Sequence, residues 1–296
     1  MNTELRFGVL TSPSVGWEQM VERWQTIEAL GFDSVWLPDH FVDLRQPRTP
    51  RFEAWTLLPA LATQTTRIRI GTLVSAIPFR NPAFLARQAL TVDHLSRGRL
   101  ELGLGTGASG EMDQSYAMTG IDDWPLPERV ARFQEVVEIV DQLLCNEVSS
   151  YQGRYYRLKD TAMLPRPVQQ PRPPITIAAH GPVTLKIAAR HADAWSSMGG
   201  FNLSPEAMLA LTRRRNEALD GYCAELGRDP LTLRRSLLLW PPIREMVYAS
   251  VNAFTDIVGQ YIEGGINEFI LAYPWKDQQL PIFERIAGEA IPKLRG

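Results

Sequence analysis

The chain has 296 residues, 45% of them hydrophobic and 22% charged, and its 31 basic and 33 acidic side chains leave a net charge of −2. This length is long enough to bury a large core without disulfides or a structural metal. The balanced charge gives no electrostatic footprint for nucleic acid or an anionic membrane. Two cysteines, Cys145 and Cys223, suit a reducing compartment. Without a visible leader or a run of about 18 apolar residues, we expect a cytoplasmic, non-membrane protein.

Short apolar runs alternate with longer amphipathic runs along the chain. The runs of strand length are residues 5–10, 32–37, 68–74, 100–104, 175–179, 192–197, 231–239 and 268–273, and Pro38 is expected to end the second of them. Runs with helical spacing follow, at residues 17–30, 53–64, 82–95, 127–144, 183–190, 205–226, 247–264 and 281–294. A hairpin is expected around residues 151–156, before a Pro-rich stretch at 165–174.

Eight strand–helix pairs in a chain of this length predict a parallel (β/α)8 barrel, the TIM-barrel fold of the α/β class. We expect insertions after strand 4 and before strand 5. No linker, repeat or low-complexity tract divides the chain, so residues 1–296 are expected to form a single domain. A doubly wound open sheet is the alternative, because its strands show a similar pattern.

The active site of such a barrel lies at the C-terminal ends of its strands, so the residues just after each strand are the candidates. Asp39 and His40 follow the second strand, and residues 75–82 follow the third. Gly105-Thr106-Gly107 follows the fourth strand, with Glu111 further along the same loop. His180-Gly181-Pro182 follows the fifth. Glycines, polar groups and aromatic residues on one rim suit a planar, partly apolar, anionic ligand.

Each of these motifs also has a purely structural interpretation. Asp39-His40 can be a turn with a helix cap, and Gly105-Thr106-Gly107 can serve turn geometry alone. Glu111 can be an ordinary solvated charge. The four histidines fall in separate units without the spacing of a metal site, so we expect no metal. The chain shows no G-x-S-x-G elbow, phosphate-binding P-loop or dinucleotide fingerprint.

Taken together, four segments resemble the luciferase-like flavin and deazaflavin (coenzyme F420) oxidoreductases. They are Gly31-Phe32-Asp33-Ser34-Val35-Trp36-Leu37-Pro38-Asp39-His40-Phe41, Arg67-Ile68-Arg69-Ile70-Gly71-Thr72, Asn81-Pro82 with residues 95–107, and residues 174–182. They occur in the family's order and spacing and span nearly the whole predicted barrel. The resemblance implies a (β/α)8 barrel that holds a flavin or deazaflavin ring at its strand ends, commonly as a homodimer.

The resemblance also implies roles for particular residues. In the family the Asp-His pair lies beside the ring, a Gly-Thr-Gly turn lines the cleft, and the turn after the fifth strand contacts the coenzyme phosphate. A non-proline cis peptide ends the third strand, which places it at Leu73–Val74 here, with Val74–Ser75 as the second choice. The cofactor-binding residues implied in this way are Asp39, His40, Leu73, Val74, Ser75, Gly105, Thr106, Gly107, Ala179, His180, Gly181 and Pro182.

The sequence around Asp39-His40 and Gly105-Thr106-Gly107 resembles that of the F420-using branch more than that of the monooxygenases that use flavin mononucleotide (FMN). We therefore expect hydride transfer between C5 of the deazaflavin and a small organic substrate, with His40 first and Glu111 second as the catalytic proton carrier. An FMN-dependent monooxygenase using O₂ is the alternative, and a non-catalytic cofactor-binding barrel is the third interpretation.

Two further expectations concern substrate and assembly. Sugar-phosphate dehydrogenases of this branch carry a Trp four residues after the His, where this chain has Leu44. Basic groups for a substrate phosphate are also not evident in the sequence, which argues against glucose 6-phosphate. The apolar segment 52–63 carries more hydrophobic surface than one barrel contact needs, which favours a homodimer interface there.

Overall fold

The computed structural model describes residues 4–44 and 46–296 of the chain. Its strands are β1 (Arg6–Leu10), β2 (Ser34–Asp39), β3 (Arg69–Ala76), β4 (Leu100–Gly105), β5 (Val148–Gln152), β6 (Arg157–Ala162), β7 (Ile175–Ala178), β8 (Ala194–Ser197), β9 (Arg234–Leu238) and β10 (Glu268–Ala272). Its helices are α1 (Trp17–Ala29), α2 (Ala54–Ala62), α3 (Pro82–Leu95), α4 (Ser115–Thr119), α5 (Leu126–Cys145), α6 (Pro182–His191), α7 (Pro205–Glu225), α8 (Ile243–Met246), α9 (Val251–Glu263), α10 (Leu280–Arg285) and α11 (Ile291–Arg295).

Eight of the strands close into a parallel barrel in the order β1-β10-β9-β8-β7-β4-β3-β2. The fold is therefore the predicted (β/α)8 barrel, and the open-sheet alternative is wrong. The two remaining strands, β5 and β6, form an antiparallel hairpin outside the barrel. This hairpin and the loop carrying α4 are the two insertions expected around strands 4 and 5.

Several boundaries differ from the sequence predictions. Pro38 does not end β2, since the strand continues to Asp39. The pairing of β2 with β3 shifts register between Leu37 and Asp39, and such an irregularity accommodates a residue that has no N–H to donate. The predicted strand 231–239 begins as a 3₁₀ turn at Pro230–Thr232.

Two predicted helices differ from the structure. The helix predicted at 247–264 begins only at Val251, as α9, because Ser250 caps it by accepting a hydrogen bond from the Ala253 N–H at 3.0 Å, and the short helix α8 ends before the predicted segment. The segment 281–294 contains a π-helical turn at Ile286–Ala290 between α10 and α11. Neither change alters the order of the βα units.

Charged side chains fill the lower end of the barrel, where the strands begin. Glu101 and Glu268, both with fully buried side chains, lie among three arginines contributed by β1, β3 and β9. Above this layer, Trp36 and Ile270 pack with Leu73 in a small apolar cluster inside the barrel. Only the upper, C-terminal rim is therefore left to hold a ligand.

The apolar side chains of segment 52–63 are divided between core and surface. Leu57, Leu58 and Leu61 of α2 are buried in this chain's own core, as is Trp55, whereas Phe52 just before the helix is 45% exposed. The dimer interface expected at this segment stays a prediction.

Candidate active site

The end of β3 forms the floor of the candidate site. The peptide bond between Leu73 and Val74 is cis, which confirms the predicted position. Leu73 is buried, whereas Val74 is partly accessible. Ser75 is buried and fixed, because its Oγ accepts a hydrogen bond from the indole N–H of Trp55 at 2.8 Å and lies 2.9 Å from the hydroxyl of Thr72.

The glycines of β4 allow the chain to approach this floor closely. A Cβ atom on Gly105 would lie 2.5 Å from Cγ2 of Val74, and one on Gly103 would lie 1.9 Å from the carbonyl oxygen of Thr72. Such distances are far below van der Waals contact. The first glycine of the Gly105-Thr106-Gly107 motif therefore has a steric reason to be there, and Gly107 has a conformational one, since its φ is +78°.

Asp39 is held in a buried ion pair that the sequence analysis missed. The guanidinium of Arg80 donates to both carboxylate oxygens of Asp39, at 2.8 and 2.6 Å, and to Glu53 at 2.5 Å. Glu53 also caps α2 by accepting from the backbone N–H groups of Trp55 and Thr56. Arg80 stands in the segment that follows the third strand, so reading that segment for cations would have found it.

His40 lies next to a second carboxylate that the sequence analysis did not select. Its Nδ1 is 3.0 Å from Oδ2 of Asp113, and the other oxygen of Asp113 accepts the Ser115 backbone N–H at 2.9 Å. Burial raises the pKa of Asp113, but the hydrogen bonds from His40 and Ser115 outweigh it and hold that pKa below its usual range. The His40 imidazole is about 27% exposed, so one side of it faces the open rim.

The backbone of His40 is fixed independently of its ring. Arg51 donates from Nε to the His40 carbonyl at 2.9 Å and from Nη2 to the Pro38 carbonyl at 3.1 Å. Two guanidinium groups, those of Arg51 and Arg80, therefore hold the end of β2 in place.

Glu111, the second predicted catalytic residue, is exposed in the turn between β4 and α4. The carboxylate that contacts His40 is Asp113, two residues further on. A catalytic role for Glu111 stays a prediction.

The loop that carries Asp113 is anchored at its start. The Ala108 carbonyl accepts hydrogen bonds from the hydroxyl of Tyr116, at 2.9 Å, and from the guanidinium of Arg129. The Tyr116 ring in turn packs on Phe79, with centroids 5.2 Å apart. Thr106, the middle residue of the motif, is partly buried. Side chains from α4, α5 and the end of β3 therefore decide where this loop lies.

The turn after β7 begins α6, as predicted. The Ala179 carbonyl accepts from the Trp195 indole at 2.9 Å, and the Gly181 N–H donates to the Thr184 hydroxyl at 3.2 Å. Because Pro182 has no N–H, the donors without an intrahelical acceptor are those of Val183 and Thr184. Gly181 itself is therefore already hydrogen-bonded.

His180 lies at the same turn, and Arg215 of α7 holds it. The Arg215 guanidinium donates to the His180 carbonyl at 3.0 Å and also to the carbonyl of Gly199. The His180 side chain is exposed. Desolvation, followed by repulsion from Arg215, lowers the pKa of His180 below its usual value.

A cavity of about 540 Å³ at the surface is lined by Gln46, Pro47, Arg48, Thr49 and Gln114. It lies between the loop after β2 and the residue that follows Asp113. In the residues that the structure describes, no cluster of three or more potential metal ligands is found. Of the helices in residues 4–44 and 46–296, none is long and apolar enough to cross a bilayer.

The fold is a (β/α)8 barrel whose strand ends carry the His40–Asp113 and Asp39–Arg80 pairs at one rim. Residues 3–237 match the family model described as luciferase-like monooxygenase, so the chain belongs to that family.

Individual relatives and structures extend this result. The chain is 36% identical to the F420-dependent glucose-6-phosphate dehydrogenase of Amycolatopsis mediterranei, with 95% of both chains covered. Among solved structures, an F420-dependent secondary alcohol dehydrogenase is similar with a TM-score of 0.81, at 20% identity and with 96% and 98% of the two chains covered. A monooxygenase from Streptomyces bottropensis is similar with a TM-score of 0.79, at 20% identity and with 98% and 100% covered. At this identity the two structures establish the fold alone.

Proposed function

We propose that this chain is a luciferase-like oxidoreductase of the F420-dependent branch, which transfers a hydride between C5 of the deazaflavin and a small organic substrate. The observation that carries the proposal is the placement of His40 directly after the end of β2, where Asp39 pairs with Ser75 of β3 and the His40 ring is partly exposed at the rim. The sequence relationship supports the same proposal, since this chain is 36% identical to an enzyme named as F420-dependent. The whole chain acts as one barrel domain in this proposal.

The residues at the rim fit this coenzyme. A flat, partly apolar ring needs a floor without projecting side chains, and Gly105 beside Val74 provides one. An anionic phosphate tail needs donors, and the N–H groups of Val183 and Thr184 at the start of α6 have no intrahelical acceptor. We propose that residues 73–75, 105–107 and 179–182 hold the coenzyme, together with Asp39 and His40.

When bound, F420 supplies hydride exchange at C5 of its ring. The protein must then hold the substrate carbon close to the coenzyme, exclude water and manage the accompanying proton. His40 is suited to the last task, since its ring is partly exposed at the rim while its backbone is fixed by Arg51. Asp39 is already bonded to Arg80 through both oxygens, so it serves as an anchor of the β2 end.

We further propose that the substrate is a small alcohol or carbonyl compound without a phosphate. The arginines nearest the strand ends are already engaged: Arg51 and Arg215 donate to backbone carbonyls, and Arg80 to two carboxylates. Leu44 replaces the Trp of the sugar-phosphate enzymes. Arg48 is exposed at the 540 Å³ cavity and has no ion pair with a described residue. If the substrate did carry a phosphate, Arg48 would be the cation available to bind it.

One observation favours a second function. The matched family model carries the description of a monooxygenase, and a monooxygenase shares this fold at a TM-score of 0.79. In that case the same cleft would hold FMN and shield it from water.

The deciding experiment is titration of the apoprotein with F420 and with FMN, followed by fluorescence and calorimetry. We expect F420 to bind at least tenfold more tightly. Anaerobic turnover of small secondary alcohols or ketones with F420 supports the proposal, whereas activity that requires O₂ and reduced FMN contradicts it. Glucose 6-phosphate belongs in the same panel, and its efficient turnover would show the substrate assignment to be wrong.

A His40→Ala variant separates chemistry from binding. It should lower kcat by about 10²–10⁴-fold, the range for loss of a general acid or base, and change the F420 Kd by less than threefold. An unchanged kcat would remove His40 from the mechanism.

We also propose a homodimer, as in the resembling family, but with α3 rather than α2 at the interface. Phe84 is 74% exposed and Leu95 is 48% exposed on the outer side of α3. Phe84 is the most exposed of the large hydrophobic side chains in the described residues, so it is the one that gains most from being covered by a second copy. Light scattering should give about twice the chain mass, and Phe84→Lys should shift it toward the monomer. A monomeric wild type at micromolar concentration would refute this proposal.

A further inference from the structure

We propose that Asp113 is a positioning residue for His40, which keeps the imidazole proton on Nδ1 and leaves Nε2 to exchange a proton with the substrate. The catalytic part of this inference rests on the proposed function. The pairing itself is a property of the protein without coenzyme and can be tested separately.

The geometry of the pair is asymmetric. The Asp113 side chain is 1% exposed and the His40 side chain is 27% exposed, with 3.0 Å between Oδ2 and Nδ1. A buried carboxylate accepts hydrogen bonds only, so the His40 nitrogen that faces it must carry the proton. In the described residues, no other hydrogen bond to the His40 ring is found. Nε2 is therefore the nitrogen available to a ligand at the rim.

The position of Asp113 is fixed by the protein rather than by His40. Its second oxygen accepts the Ser115 N–H at 2.9 Å. The loop on its N-terminal side is tied through the Ala108 carbonyl to Tyr116 and Arg129. Because an unpaired buried carboxylate is costly, a carboxylate held at this place favours an imidazole hydrogen-bonded to it. Rigid support of this kind is what a positioning residue requires.

Other charged groups pack around the pair, and their partners keep them from replacing Asp113. One set is Asp39 and Glu53, which both contact Arg80. The other charged groups are Arg51 and Asp43. Arg80 neutralises Asp39, while Arg51 binds the His40 backbone rather than its ring. Among the acids described around this pair, Asp113 is therefore the one whose carboxylate contacts the His40 ring.

The chemical consequence concerns the proton that accompanies the hydride. If F420 were bound during alcohol oxidation, it would accept the hydride from the alcohol carbon as the C=O bond forms, and Nε2 of His40 would take up the O–H proton. The imidazolium that results is stabilised by the Asp113 carboxylate 3.0 Å from Nδ1. In the reverse direction the same imidazolium returns the proton to the new hydroxyl.

The first test needs no activity. The ¹⁵N chemical shifts of the histidine rings in the apoprotein report which nitrogen carries the proton. For neutral His40 we expect the Nδ1–H tautomer in the wild type and a shift toward Nε2–H in Asp113→Asn. Asp122→Asn is the matched control, since Asp122 is an exposed acid of the same insertion and should leave the His40 signals unchanged. A wild-type protein in which His40 carries its proton on Nε2 overturns the proposal, whether or not the variants fold.

The second test uses kinetics with F420. Asp113→Asn should lower kcat about 10–100-fold, move the acidic limb of the pH profile for alcohol oxidation to lower pH, and leave the F420 Kd within threefold. An unchanged kcat and profile overturns the positioning role. If the tautomer changes but the protein neither binds nor uses F420, the pairing stands and the proposed function fails. If the enzyme uses F420 and the tautomer is unaffected, the proposed function stands and this inference fails.

Discussion

Replacing Glu101 by Gln tests how the charged layer at the lower end of the barrel is stabilised. The Glu101 side chain is fully buried and accepts hydrogen bonds from Arg6 at 2.8 Å, Arg69 at 2.5 Å and Arg234. With Glu268, this layer holds three positive and two negative charges, a net charge of +1. Gln raises that net charge to +2, leaves Arg6 and Arg234 with Glu268 alone, and leaves Arg69 without a carboxylate partner.

The expected magnitude follows from this geometry. Removing one partner of a buried ion cluster costs about 3–5 kcal/mol of unfolding free energy. For a chain of this size, each kcal/mol shifts the Tm by roughly 2–4 °C, so we expect a decrease of about 6–20 °C. Glu268→Gln is a matched control, since Glu268 is equally buried but lies 3.1 and 3.5 Å from its arginines without hydrogen-bond geometry. Glu268→Gln should therefore lower the free energy of unfolding by less than Glu101→Gln does.

The same residue predicts a pH dependence. Burial raises the pKa of Glu101, but the three arginines outweigh it and lower the pKa from 4.5 to about 2. Its stabilisation is therefore complete above about pH 4.5 and lost as the pH falls toward 2. Urea unfolding of wild type and Glu101→Gln between pH 7 and pH 3 should show a difference that narrows with acidification. A difference below about 0.5 kcal/mol at pH 7, or one that widens in acid, would refute the reasoning.

Two further predictions concern the rim. Gly105→Ala places a Cβ 2.5 Å from Cγ2 of Val74, so we expect at least a tenfold rise in the F420 Kd by calorimetry. Gly221→Ala in α7 meets no atom within 4 Å and should instead raise the unfolding free energy by about 0.5–1 kcal/mol, so equal behaviour of the two variants would contradict the steric argument. Arg80→Lys replaces the planar fork, which contacts Asp39 through two nitrogens, with a single ammonium nitrogen, so we expect kcat to fall at least tenfold while Arg87→Lys leaves it unchanged. Steady-state kinetics with F420 decides this, and full activity of Arg80→Lys would mean that the paired contact is dispensable.

Much of the fold could be predicted from local patterns. The alternation of apolar and amphipathic runs identified all eight barrel strands, because β-strands and helices differ in the period of their buried positions. Strand boundaries were less accurate where contacts with a neighbouring strand decide them. At Pro38, β2 continues because its pairing with β3 shifts register there.

The site was predicted only as far as its motifs carry local signals. His40 and the cis Leu73–Val74 peptide were located by position in the resembling family, and Gly105 by its place after a strand. Asp113 was missed because nothing in the residues near it in sequence marks it as the partner of a histidine 73 positions earlier. Glu111, on the same loop, looked equivalent in sequence and is exposed.

The sequence by itself determined the order of the βα units and the end of the barrel that carries the candidate site residues. Both follow from periodicity and from the shared C-terminal edge of parallel strands. The tertiary structure alone decided which charges meet: Arg80 with Asp39, Asp113 with His40, and three arginines with Glu101. Those pairings join residues tens of positions apart. They depend on how the closed barrel brings separate loops and strands together, which no local pattern specifies.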